Sequence, residues 1–142
     1  MIVSDVTRQI GGRTGAASSL NSPLDLARAI EAGLPVEAAD ALVERGVLLA
    51  AELHALILPR RTLSHRRRHG SLTAPESDRL IRVARAAALA EETLGSAEKA
   101  HAWLRRSNRS LDGAEPLSLL STDQGARAVE VALDRLAHGV FA

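Results

Sequence analysis

The stretch from Leu58 to Gly70, LPRRTLSHRRRHG, holds five arginines and two histidines and no acid, in a chain of 142 residues whose formal net charge is only +1. Guanidinium groups at that density suit the binding of an anionic polymer. Arginine presents a planar fork of donors that matches phosphate oxygens and the O6/N7 edge of guanine. Wound as a helix at about 100° per residue, the stretch puts Leu63 at the centre of its buried side. Arg61, His65 and Arg68 then point away from the core, and Arg60, Arg66 and Arg67 lie on the flanks. Outward arginines can reach base edges in a major groove, and flanking ones can hold phosphates. With Thr62 and Ser64 between them, Arg60, Arg61, His65, Arg66, Arg67 and Arg68 form the candidate DNA-binding set. A solvated basic helix face is the competing reading of the charge alone.

Little else in the chain has the makings of chemistry. Asp112 and Glu115 in DGAEP have no base or nucleophile beside them. The five histidines, His54, His65, His69, His101 and His138, lack zinc-type spacing. There is no glycine-rich phosphate loop and no nucleophile–base arrangement, so the expectation is a protein that is not an enzyme and uses no metal or cofactor. Cysteine is absent, which excludes disulfides and thiolate sites and fits a reducing compartment. No apolar run approaches the roughly 20 residues that span a bilayer. MIVSDVTRQIGGRTGAASS lacks the basic start and apolar block of a secretory signal. The expected location is cytoplasmic, with no membrane partner.

The elements that must position the basic stretch are marked by punctuation. Residues 1 to 20 are rich in Gly, Ser and Thr and read as a flexible arm. Ser22 can cap and Pro23 can open a helix with Leu24, Ala27 and Ile30 on one face, stopped by Gly33. Pro35 opens a second helix that Gly46 closes, and LLAAELHALI is a third, with Leu49, Leu53, Leu56 and Ile57 inward. Pro59 begins the basic helix and Gly70 stops it. The third and fourth helices, with their short connection, form a candidate helix-turn-helix. A long amphipathic helix follows from Thr73 to Gly95, with Leu80, Val83, Ala87 and Leu94 on its apolar face. Ser96 caps the next helix, which carries Trp103 as a packing anchor. Asn108 and Gly113 shape a turn-rich loop, LSLL is a short apolar segment, and Ser121 and Gln124 have capping-box spacing ahead of the last helix. That helix turns Val129, Leu133 and Leu136 inward and stops at Gly139. No stretch alternates long enough for a strand. Aromatics are 1% of the chain, only Trp103 and Phe141, so the core must come from Leu, Val, Ile and Ala. The expectation is all-α, with about seven helices.

From Glu76 onward the sequence resembles the toxin-binding domain of the Xre/MbcA/ParS antitoxin family. The matching features run in order: Glu76-Ser77-Asp78-Arg79-Leu80, Trp103-Leu104, Asn108, Leu111, Pro116-Leu117, Leu119-Leu120, Thr122 with Gly125, Val129, Leu133 and Gly139-Val140. Arg60-Arg61-Thr62-Leu63 and the spacing to Leu72-Thr73 resemble the Xre-like helix-turn-helix that precedes this domain. The likeness covers about residues 21 to 142. Pro59, Ser107 and Asp112 depart from the family pattern, which usually has a small polar cap, a proline and often a glycine there.

After the arm over 1–20 read from composition, the resemblance implies a helix-turn-helix domain over 21–71 and a toxin-binding domain over 72–142. It implies a type II antitoxin that silences a co-encoded toxin, most often of the NAD-depleting RES class, and represses its own operon. The implied partners are that toxin, operator DNA and a second copy of the chain. The implied toxin-binding residues are Arg135, His138, Gly139, Val140, Phe141 and Ala142, at a C-terminal end that in this family lies close to the toxin's substrate pocket. The tail can instead fold back on the chain's own core. The alternative function is a helix-turn-helix regulator with no toxin partner.

Overall fold

The computed structural model describes residues 2–11 and 20–139. Eight α-helices run through these residues: α1 (Ile2–Gly11), α2 (Pro23–Ala32), α3 (Glu37–Glu44), α4 (Ala50–Leu56), α5 (Arg60–His69), α6 (Ala74–Leu94), α7 (Ala97–Leu104) and α8 (Asp123–Ala137). Two 3₁₀ turns, Arg109–Leu111 and Pro116–Ser121, lie between α7 and α8. The all-α expectation holds. Backbone pairing outside the helices includes an isolated antiparallel bridge between Pro35 and Ser71.

α6 is the axle. It packs against α1, α2, α7 and α8 and against the second 3₁₀ turn. Its inner positions are Leu80, Val83, Ala84, Ala86, Ala87, Ala88 and Ala90, all buried. Alanines let neighbouring helices close on it from several sides, which is how a chain almost without aromatics fills its interior. The buried apolar residues form one continuous cluster, from Val6 in α1 through Leu42, Leu53 and Leu80 to Leu133 in α8.

Helix ends follow local chemistry. Ser22 Oγ accepts from Asp25 N ahead of Pro23, and Thr73 Oγ1 accepts from Glu76 N ahead of Pro75. Gly70 and Gly95 end α5 and α6 in the left-handed conformation. Gly125 serves a different purpose: a Cβ there would strike the Leu119 carbonyl, so a side chain would push α8 off the preceding 3₁₀ turn.

Several sequence expectations need correction. The first of the twenty residues expected as an arm form α1 rather than coil. Val6 and Ile10, four apart on one helical face, are 0% and 2% exposed, and Gln9 between them is buried. The Gly and Ser content of the whole stretch masked this short periodicity. Leu49 stands at the N-cap of α4, out of helical phase, and is 63% exposed. In α2 it is Leu26, Ala29 and Ile30 that pack on the core, while Leu24 is exposed, so the apolar face is rotated from the expected one. α3 begins at Glu37, because Pro35 is drawn into the bridge with Ser71. Thr122, not Ser121, caps α8, accepting from Gly125 N at 3.0 Å, because Ser121 still belongs to the 3₁₀ turn.

A polar cluster around the buried Gln9 lies where α1 meets the rest. Arg45 Nε donates to Gln9 Oε1 at 3.0 Å, and Glu91 lies 3.9 Å from His101 Nε2 and 4.0 Å from Arg45. Burial pushes the His101 pKa down, with Arg105 and Arg45 adding to the effect and Glu91 opposing it.

Candidate nucleic-acid interface and partner-binding end

α4 and α5 are joined by Ile57-Leu58-Pro59, with Ile57 and Leu58 buried beneath the turn. Pro59 is extended (φ −60°, ψ 155°) and serves as the N-cap, so the basic helix starts at Arg60 without a side-chain cap. Proline fixes that dihedral and has no N–H to leave unsatisfied. The first helix, tight turn and second helix are those of a helix-turn-helix.

The projection from sequence is met at α5. Leu63 is its one buried residue. Arg60, Arg61, Ser64, His65 and Arg68 are exposed, and Thr62 is half-buried. Ser64 Oγ turns back to donate to the Arg60 carbonyl at 3.3 Å, and the His65 and His69 rings meet edge-on at 4.7 Å. A single leucine contributes about 1.5–3 kcal/mol of burial, too little by itself to fix how a ten-residue helix is rotated.

Two of the three flanking arginines, Arg66 and Arg67, are already engaged within the chain. Arg66 Nε and Nη2 donate to Glu76 Oε1 and Oε2 at 2.8 and 3.1 Å. Arg67 Nη2 and Nη1 donate to Asp40 Oδ1 and Oδ2 at 2.7 and 2.9 Å. Glu76 is 5% exposed. Burial alone would raise its pKa, but the bonds from Arg66 and from Thr73, with the Arg66 charge, hold it below the usual carboxylate range. Arg60, Arg61 and Arg68 have no carboxylate partner among the described residues. The charge that α5 shows to solvent is therefore narrower than its composition.

Sequence reasoning missed the residues that hold this unit in place. Three lie in the first turns of α6. Glu76 grips Arg66, Ser77 Oγ accepts from Leu34 N at 2.8 Å, and Arg79 Nε donates to the Ile57 carbonyl in the helix-turn-helix turn at 2.9 Å. The fourth is Asp40 in α3. Thr73-x-x-Glu76 has the spacing of a capping box, and that signal marks Glu76 as a helix-end residue. Nothing local marks Arg66 or Asp40 as partners.

The second candidate set is at the far end of α8. Arg135, His138 and Gly139 are exposed. His138 Nδ1 lies 2.8 Å from the Asp134 carbonyl, and Gly139 has φ 72°. Val140, Phe141 and Ala142 lie outside the described residues. Above Arg135 a shallow groove of about 360 Å³ is lined by Leu111, Gln124, Ala128, Val131 and Arg135, and Val131 is 48% exposed. Trp103, expected as a packing anchor, is partly buried against the core. Among the described residues no group of three or more His, Cys, Asp or Glu side chains could hold a metal ion, and no helix is long and apolar enough to cross a membrane.

Residues 25–85 match the family model of the antitoxin Xre-like helix-turn-helix domain, and residues 89–139 that of the antitoxin Xre/MbcA/ParS C-terminal toxin-binding domain. The two matches meet inside α6. The chain is similar to the antitoxin Xre of Pseudomonas putida, at 43% identity over 99 residues, covering 69% of this chain and 62% of that protein. It is also similar to the antitoxin Xre of Yersinia enterocolitica, at 35% identity over 119 residues, covering 82% and 80% of the two chains.

Proposed function

As this chain belongs to the Xre/MbcA/ParS antitoxin family, we propose that it is the antitoxin of a type II toxin–antitoxin pair. In this reading it acts in the cytoplasm, binds a RES-type, NAD-depleting toxin and blocks the toxin's active site. It also represses its own operon, as a homodimer whose two copies of α5 enter successive major grooves about 34 Å apart.

The observation that carries the DNA reading is the exposed strip of Arg61, His65 and Arg68 on the second helix of a helix-turn-helix, with Arg60 and Ser64 beside it. The support for the toxin reading is the domain match over 89–139, together with the exposed end of α8. Arg135 and His138 flank the toxin there, and the segment Gly139 to Ala142 enters its substrate pocket and inhibits by occupancy alone.

A truncation tests the second part. Deleting Val140–Ala142 should weaken binding to the toxin encoded beside the gene by at least about tenfold, since burying one Phe is worth about 1.5–3 kcal/mol. Residual NAD loss should return in the truncated complex, and the melting temperature should hold. A truncation that melts lower yet inhibits normally would place Phe141 in the chain's own core.

A further inference from the structure

α5 is held by little apolar contact and much charge. At about 100° per residue, Arg66 lies roughly 60° to one side of Leu63 and Arg67 roughly 40° to the other. The two ion pairs thus straddle the one buried leucine, Arg66 reaching Glu76 in α6 and Arg67 reaching Asp40 in α3. Three points define how the helix is rotated about its axis. They turn Arg61, His65 and Arg68 outward together.

The two pairs are unequal. Asp40 and Arg67 keep 36% and 49% of their side-chain surface, so salt and water screen them. Glu76 and Arg66 keep 7% and 23%. Glu76 Oε1 also accepts from Thr73 N at 2.9 Å, so the carboxylate that grips α5 is the same one that closes the first turn of α6. A bidentate pair whose carboxylate is buried and tied to a helix cap fixes geometry, because Arg66 cannot turn away without leaving Glu76 unpaired.

We infer that Arg66 and Glu76 form a positioning pair for DNA recognition: Glu76 sets the rotation of α5, and Arg66 acts through that pair rather than as a phosphate contact. The inference rests on the reading of α5 as the DNA-binding helix. It reassigns one residue of the candidate set and adds Glu76 to the residues on which sequence discrimination depends.

The two roles of Arg66 give opposite results. The variants are E76Q and R66Q. The probes are a duplex from the region upstream of the protein's own reading frame and a random-sequence duplex of equal length. Binding of the full chain is titrated by fluorescence anisotropy over a salt series, well below the melting temperature of each variant. A positioning pair predicts that either substitution lowers the upstream-to-random affinity ratio by about tenfold, within what loss of a bidentate base contact costs. R66Q should leave the salt slope on random duplex as in the wild type. If Arg66 holds a phosphate instead, R66Q flattens that slope by about 0.9, and E76Q tightens binding to both duplexes with the ratio unchanged. Either result overturns the inference. Should E76Q fail to fold, R66Q decides alone by its ratio and slope. A wild-type chain that binds neither duplex would overturn the DNA reading of α5 itself, a failure distinct from the others.

Discussion

Among single residues, His101 makes a consequence that solution measurements can reach. Its ring is half-buried beside Glu91 and Arg45, and that partial burial is the main cause of its lowered pKa. The unfolded chain therefore binds a proton there more readily than the folded one. The stability that neutral His101 supports is complete above the unfolded value of about 6.5 and is lost as pH falls toward the folded value. Glu76 is also held low, so its own acid loss begins only below about 4.3 and leaves the window above that to the histidine. Denaturant unfolding at about pH 7.5 and pH 5.5 should show a drop in the wild type that is smaller in His101→Asn. An equal drop in both would remove His101 from the explanation. Asp112 is a residue whose oddity the structure explains: it occupies φ 55°, a left-handed conformation that aspartate tolerates and glycine prefers.

At the scale of elements, what could be read in advance divides by the range of the interaction. Caps and stops are local, so Ser22-Pro23 and Gly33, and Thr73, Pro75 and Gly95, marked α2 and α6 within a residue or so. The inward Leu63 and outward Arg61, His65 and Arg68 of α5 were likewise legible, since one periodicity fixes both faces. The Arg67–Asp40 pair spans 27 residues and the Arg79–Ile57 bond 22, and no spacing rule reveals such partners. α1 was lost for another reason: its short apolar spacing, Ile2, Val6 and Ile10, runs straight into a Gly- and Ser-rich stretch. Its packing can be tested directly. Ile10→Ala should cost about 2–5 kcal/mol, as for other buried aliphatic truncations, seen as a lower midpoint in denaturant. If the segment were instead a free arm, the midpoint would not move.

In the whole molecule, the +1 net charge hides a division of labour. Asp40 of α3 and Glu76 of α6 lie against the basic helix and neutralise Arg67 and Arg66. What remains free on α5 is a narrow set suited to reading rather than to indiscriminate adhesion. The division between DNA-binding and toxin-binding parts is not a break in the core, because α6 belongs to both and the apolar cluster is continuous. The two activities should nonetheless separate by mutation, since α5 and the end of α8 present different surfaces. The most direct measurement is made on Arg61→Ala/Arg68→Ala, titrated against the upstream duplex and assayed in cells for neutralisation of the neighbouring toxin. Each lost arginine should cost about 1–3 kcal/mol of upstream-duplex binding if its contact is bidentate, with neutralisation intact. Unchanged DNA binding in this folded double variant, or neutralisation lost along with it, would contradict the assignment of α5 as the DNA-reading helix of an otherwise independent toxin inhibitor.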